Sequence, residues 1–284
     1  MTSTLTFPIP GVVAPATPRF GTIDVSTGIT LHFAEYGPET GTPVIFLHGY
    51  SDSWFSFSRV APQLAPEYRA FSIDQRGHGR STQPPAGYHM RDLAADVLAF
   101  MDALGLSRAT LVGHSMGSVV AQQVALAAPE RVSSLVLIGA PTTIRRMNEI
   151  YALRDAVETL TDPVSVDFIS EFQYSTVAQP VSEAFMRQAI EESRQLTVHV
   201  WREIMTGMLA TDPAPELGAS GIPTLIMRGE LDSLVLTPEQ DALAEMIGTT
   251  AIRIFPGAGH APHWEVPEEL AADIKSFIAS AATR

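Results

Sequence analysis

Six short, largely apolar runs restrict the fold of this chain more than any other feature. They are Val44-Ile45-Phe46-Leu47, Ala70-Phe71-Ser72-Ile73, Ala109 to Val112, Leu135 to Ile138, Thr224 to Met227 and Ile252 to Phe255. A strand with one wet face alternates apolar and polar residues. Runs without alternation are expected where a strand is covered on both faces. Helical patterns separate them. Leu93, Val97, Met101 and Leu104 recur at steps of four, four and three. Val119 to Ala128 meets no breaker before Pro129, and Leu270, Ile274, Phe277 and Ile278 form a stripe entered through Pro267. This alternation implies the α/β class: a mostly parallel central sheet of about eight strands, flanked by helices. Ahead of it, Gly21 to Val25 and Ile29 to Tyr36 alternate around Ser26-Thr27-Gly28, which predicts a hairpin adding antiparallel strands at the N-terminal edge.

The rhythm stops between residues 142 and 219. No buried-strand run fits there, and the pattern is helical with breaks at Pro163, Pro180, Pro213 and Pro215. Such a length is too great for a structureless connection. It is expected to be an inserted helical cap, with residues 1–141 and 220–284 forming the core domain. Tyr151, Leu153, Phe168, Phe172, Tyr174, Phe185, Met186, Trp201, Met205 and Met208 give the cap much apolar surface.

Charge narrows the partners. Thirty-one acidic residues against eighteen basic ones give a formal net charge of −13. The densest basic stretch is the pair Arg145-Arg146, so a nucleic-acid partner is not expected. Met1 to Pro18 lacks a basic start and a continuous apolar stretch, and no run approaches the ~20 residues that cross a bilayer. A cytoplasmic protein without a membrane partner is the expectation. The chain has no cysteine, which removes disulfides, thiolate metal sites and a thiol nucleophile. No ligand spacing among its histidines and carboxylates suggests a metal, so neither metal nor cofactor is expected.

The strongest chemical motif is Gly113-His114-Ser115-Met116-Gly117, placed between an apolar run and a helix. A serine on a sharp strand-to-helix turn needs small residues two positions to either side. The turn lifts its hydroxyl toward the helix N-terminus, where developing negative charge is favoured. A serine hydroxyl is a weak nucleophile, so it needs a base, and the base needs an orienting group. Both follow in chain order. Gly229-Glu230-Leu231-Asp232 leaves one strand with two carboxylates, of which Asp232 lies farther into the loop. Gly257-Ala258-Gly259-His260 leaves the next with a histidine. His263, beside Trp264, is the weaker candidate for the base. His114 is expected to point away from the pocket, and His48, His78, His89 and His199 read as structural. The oxyanion hole is expected from the backbone N–H groups of Met116 and of Tyr50, the latter following Gly49 in the loop after the first buried strand.

In these motifs the chain resembles the α/β-hydrolase fold superfamily, specifically its capped, single-chain bacterial members, from about Phe20 to Ile278. His48-Gly49 looks like the oxyanion-loop motif. Asp74-Gln75-Arg76-Gly77-His78-Gly79-Arg80-Ser81 looks like the D-x-R-G-x-G-x-S turn, and the elbow, acid and base loops match in order. The resemblance implies Ser115 as nucleophile, His260 as general base and Asp232 as its orienter, with Asp74 and Arg76 structural. Two departures bear on chemistry. The stretch His48 to Trp54 is similar to the H-G-x-P-x-x-W loop of epoxide hydrolases and dehalogenases. Here, however, Ser51 replaces the proline, and the nucleophile is serine where those enzymes use aspartate. Ser118 stands where carbon–carbon bond hydrolases usually carry a further glycine.

These residues predict hydrolysis of a carboxylic ester or lactone of a compact hydrophobic small molecule through an acyl-enzyme. Trp54 and Phe55 are candidates to line the pocket from below. Activity is expected to fall in acid as His260 takes up a proton. Cofactor-free perhydrolase (haloperoxidase) chemistry, carbon–carbon bond hydrolysis, and a small-molecule receptor with slow turnover are alternatives that keep the same serine. Oligomeric state is not legible in these residues.

Overall fold

The computed structural model describes residues 16–65, 67–248 and 250–283. The leader through residue 15 lies outside them. Eight strands form one sheet: β1 (Arg19–Asp24), β2 (Thr30–Tyr36), β3 (Thr42–Leu47), β4 (Tyr68–Ile73), β5 (Ala109–His114), β6 (Val132–Ile138), β7 (Thr224–Gly229) and β8 (Thr250–Phe255). Their spatial order is β1-β2-β4-β3-β5-β6-β7-β8. β1, β2 and β4 pair antiparallel, while β4, β3 and β5 through β8 are parallel. Each of the six apolar runs lies within a strand of the parallel set, and the expected hairpin forms the antiparallel edge.

The helices are α1 (Ala61–Leu64), α2 (Met90–Ala103), α3 (Met116–Ala127), α4 (Asn148–Glu158), α5 (Val166–Ser175), α6 (Glu183–Ser193), α7 (Val198–Ala210), α8 (Thr237–Ile247), α9 (Pro262–Glu265) and α10 (Pro267–Ala281). The absence of alternation in the strands has a direct cause. In β3, Ile45 and Leu47 join the core shared with α2 and α3, while Val44 and Phe46 join the opposite core beneath α1 and α10. All four are completely buried. In β6, Leu135 and Leu137 face the first core and Val136 and Ile138 the second.

Between β6 and β7 the chain is helical, containing α4 to α7 and short 3-10 turns at Ile144–Arg146 and Pro215–Ala219. Three of these helices begin on a hydroxyl cap. Ser165 accepts from Phe168 N–H at 3.2 Å, Ser182 from Phe185 N–H at 3.3 Å, and Thr197 from Val200 N–H at 3.5 Å. α7 carries the main apolar face of this insertion, with Val200, Trp201 and Ile204 fully buried. Trp201 sits among Tyr50, Phe168 and Phe172. The Tyr50 hydroxyl donates to Trp201 O at 2.6 Å, so one side chain ties the loop after β3 to the insertion. No helix among the described residues is long and apolar enough to cross a membrane.

Candidate active site

The parallel strands end on one edge of the sheet, and the residues singled out in the sequence leave from that edge. Ser115 follows β5 with φ 50° and ψ −116°. Among the described residues it is one of only two non-glycine positions at positive φ, the other being Ser51 at 63°. Such a backbone costs about 1–3 kcal/mol and persists only where its surroundings impose it. The flanking glycines show how. A Cβ on Gly117 would overlap Leu47 O, and one on Gly113 would overlap Gly117 O. Ser115 N–H donates to Ile138 O at 2.9 Å, and the Ser118 hydroxyl donates to Ser115 O at 2.5 Å. Ser118, where a glycine was the alternative, thus satisfies the elbow carbonyl. Met116 is the first residue of α3, and an N–H at that position has no acceptor within its helix.

His260 follows β8, and its Nδ1 lies 2.9 Å from Asp232 Oδ2 and 3.1 Å from Oδ1. Asp232, not Glu230, is therefore the carboxylate at the histidine. Glu230 instead accepts from Gly257 N–H at 2.9 Å on the surface. Asp232 also accepts from Leu234 N–H at 3.0 Å, Val235 N–H at 2.9 Å and Gln240 Nε2 at 3.2 Å. Burial pushes its pKa upward, but the adjacent His260 and these backbone donors outweigh burial and hold it below the ordinary carboxylate value. Ser115 and His260 line the same cavity without a direct hydrogen bond between their side chains.

That cavity lies between the sheet edge and the insertion. Its walls are mostly apolar: Met116, Val119 and Pro141 from the core, Ile150, Leu153, Phe172 and Met208 from the insertion, and Leu234, Val235 and Trp264 from the later loops. Tyr50 lies on its wall as well. His48 steadies the loop that carries it. Gln75 N–H donates to His48 Nε2 at 3.1 Å, which leaves Nδ1 as the protonated nitrogen donating to Gly49 O at 2.8 Å. Burial, reinforced by His78, holds this imidazole well below its usual pKa and keeps it neutral.

Trp54 and Phe55 do not line the Ser115 cavity, contrary to the expectation from sequence. A 3-10 turn at Trp54–Phe57 is fixed by the Ser53 side chain and by Asp74, which accepts from Trp54 N–H at 2.6 Å. It directs Trp54 onto Phe20, with ring centroids 4.8 Å apart, and Phe55 onto Phe185, also at 4.8 Å. His114 departs in the other direction. It is on the cavity wall, and its Nε2 donates to His260 O at 3.0 Å. Burial first, then the neighbouring His260, lowers its pKa to about 3. His263 is buried away from the cavity, with Nε2 at 3.0 Å from Ser56 Oγ. Asp74 and Arg76 are tied up structurally: Asp74 to His32 at 2.7 Å, and Arg76 to both oxygens of Asp96 at 2.5 and 2.6 Å.

A profile of the α/β hydrolase fold matches residues 42–267. The chain belongs to the α/β-hydrolase fold family. Two relatives match it over nearly their whole lengths. A non-heme chloroperoxidase of Streptomyces lividans is 30% identical over 92% of this chain and 100% of its own. A non-heme haloperoxidase of Rhodococcus erythropolis is 31% identical over 91% and 99%, respectively. Among solved structures, a thermophilic esterase from Thermogutta terrifontis superposes with a TM-score of 0.78 at 26% identity, covering 93% of this chain and 99% of that one.

Two features of this α/β hydrolase escaped the sequence reading. Asp52 reaches the cavity wall, buried to 6% exposure and facing Gln173 of the insertion. Glu265 straps the His260 loop to the insertion, accepting from Gly259 N–H at 2.7 Å, Ala178 N–H at 3.0 Å and Gln179 N–H at 2.6 Å. Ala261 N–H adds a bond to Thr176 O at 2.9 Å. Neither carboxylate belongs to a spacing pattern. Asp52 follows Ser51, the residue that departs from the related loop motif, and that departure was the one available signal.

Proposed function

We propose that this α/β hydrolase cleaves carboxylic esters, lactones included, through Ser115, His260 and Asp232. One arrangement carries the reading: a serine on a strained elbow at a helix N-terminus shares an apolar cavity with a histidine whose Nδ1 rests on a buried carboxylate. His260 Nε2 takes the hydroxyl proton as Ser115 Oγ bonds to the carbonyl carbon. The Tyr50 and Met116 N–H groups receive the oxyanion, each such donor contributing about 2.7–4 kcal/mol to the transition state. His260 then returns the proton to the departing alkoxide, leaving an acyl-serine. Water, deprotonated by the same histidine, attacks the acyl carbon; the acyl–Oγ bond breaks, His260 returns the proton to Ser115 Oγ, and the acid is released. Asp232 holds the tautomer and stabilises the imidazolium throughout. The helices between residues 142 and 219 act as a cap, supplying the wall that selects a compact, largely apolar substrate.

A second reading is favoured by the relatives named as non-heme haloperoxidases. If hydrogen peroxide replaces water on the acyl-serine, the product is a peracid in place of the acid, by the same proton transfers.

The test is p-nitrophenyl butyrate turnover followed over many enzyme equivalents, with Ser115→Ala alongside. Sustained release, lowered roughly 10⁴-fold or more in the variant, is expected. A burst of one equivalent followed by silence would point to a slow receptor, and a rate indifferent to Ser115 would sink the proposal. Repeating the assay with hydrogen peroxide and a halide, scored by halogenation of a β-diketone, decides the second reading.

A further inference from the structure

The Ser115 cavity is mostly apolar, and one polar corner of its wall is built in a way the ester chemistry does not require. Asp52 lies on the wall with its carboxylate almost fully buried. Its Oδ1 accepts from Gln173 Nε2 at 3.1 Å and its Oδ2 from the Ser56 hydroxyl at 3.1 Å. With the Gly49 N–H also facing this carboxylate, about one of its roughly four acceptor positions is left open. On its remaining side, His114 Nδ1 approaches Oδ2 to 4.0 Å. That nitrogen carries no proton, because Nε2 donates to His260 O, and it has no hydrogen-bond partner. Gln173, completely buried and also on the wall, spends its amide N–H on Asp52 and on Ser193 Oγ at 2.7 Å, while its Oε1 has no donor. Acceptors therefore crowd this corner. A buried acceptor without a donor is costly, and one on a cavity wall can be completed by a donor on the ligand.

The surrounding charge adds to this. Among the described residues of the wall there is no lysine or arginine, and a second acidic side chain, Glu149, stands at the exposed rim. An anionic substrate would meet repulsion without a counter-charge. The backbone that delivers Asp52 is held at positive φ at Ser51.

We infer that Asp52 and Gln173 form a polar subsite for a hydrogen-bond-donating group of the substrate, so that the preferred ester carries a hydroxyl, amine or amide N–H and no carboxylate. This rests on the ester-hydrolase reading. The donor bonds to the Asp52 carboxylate and Gln173 Oε1 while the apolar remainder fills the walls from Ile150 to Met208.

The experiment compares matched substrates on wild type, Asp52→Asn and Asp52→Ala, reading kcat/KM ratios. The pairs are p-nitrophenyl 3-hydroxybutyrate against butyrate, and 3-aminophenyl acetate against phenyl acetate, with p-nitrophenyl hemisuccinate as the anionic probe. In wild type at least one donor-bearing ester is expected to exceed its plain partner by roughly 10- to 100-fold, as for a hydrogen bond to a charged group. Hemisuccinate is expected to be the poorest substrate. In Asp52→Ala the donor preference should collapse toward one, mainly through KM, with Asp52→Asn intermediate and hemisuccinate improving relative to butyrate. Equal losses on both members of each pair, or a wild-type preference for the plain or anionic ester, overturn the subsite. Calorimetric binding of methyl 3-hydroxybutyrate, methyl butyrate, 3-aminophenyl acetate and phenyl acetate to Ser115→Ala, with and without Asp52→Asn, separates the two readings. An Asp52-dependent donor preference in binding without wild-type turnover of any ester would leave the subsite standing and reject the ester reading. Binding without preference, or no binding of any of the four, rejects the subsite.

Discussion

In β3, Val44, Ile45, Phe46 and Leu47 are all completely buried, whereas α4 in the insertion buries only Val157. The two regions meet at one cavity but hold their residues by different means. The central strands are clamped between two helical layers, so the groups leaving their ends are fixed to within the play of a close-packed interior, while the edge strand β8 leaves Ile252 and Ile254 exposed. The insertion rests on one apolar face per helix, on hydroxyl caps and on a few polar straps, of which Glu265 and Tyr50 are the principal ones. Ser115, Asp232 and His260 leave the clamped region, and the strapped one supplies eight of the nineteen residues on the cavity wall. Rate should therefore be sensitive to the first and selectivity to the second.

That contrast is broken most sharply at the acid loop. Asp232→Asn is expected to lower kcat by roughly 10⁴-fold, because the amide favours the wrong tautomer of His260. Glu230→Gln, on the same loop but bonded at the surface, should leave kcat near wild type. Steady-state kinetics on both variants decide it, and comparable losses would mean the carboxylates are misassigned. In the sheet, Phe46→Ala should cost about 3–5 kcal/mol of stability by emptying a packed site, read by urea melts.

Asp52 offers a test in which the sign changes with pH. Burial raises its pKa to about 6 from an ordinary 3.8, despite the donors from Gln173 and Ser56. The folded chain then holds the proton more tightly than the unfolded one between about pH 4 and 6, and stability falls as pH rises through that window. The ionised carboxylate costs up to about 3 kcal/mol above it. Asp52→Asn keeps the shape without the charge, so it should melt higher than wild type at pH 8, with the gain shrinking at pH 5. A variant that melts lower at both would make Asp52 a structural tether. Glu265→Ala leaves three backbone N–H groups without their acceptor, with an expected loss of about 1–3 kcal/mol and slower turnover from a looser His260. Thermal melts and kcat on one preparation check this. The smallest stability effect, within about 1 kcal/mol, is expected for Ile150→Ala, half-buried on α4. Its signature should be a shift toward longer acyl chains in a p-nitrophenyl ester series.

Much of this was legible without coordinates. Five of the six runs are buried in the sheet, because a strand covered on both faces leaves little room for charged residues; the sixth, in β8, is an edge strand with Ile252 and Ile254 exposed on one face. Gly113 and Gly117 announced the elbow because a Cβ at either site would overlap backbone. Asp232 could be preferred to Glu230 by its place in the loop. Other features were hidden. α8 lies between β7 and β8 with only Gln240, Leu243 and Ile247 buried, too few to mark a helical stripe. Trp54 and Phe55 were misplaced because a single 3-10 turn rotates both rings away from Ser115.

Local sequence by itself determined the class of fold, the order of the sheet's buried strands along the chain, and the three side chains offered for chemistry. These follow from periodicity and from steric demands on neighbouring residues. Only the tertiary structure decided what the cavity wall presents. Asp52 and Gln173 are 121 positions apart, and Glu265 meets Ala178 across 87. No local rule links such pairs, because their meeting depends on how the insertion's helices lie over the sheet edge.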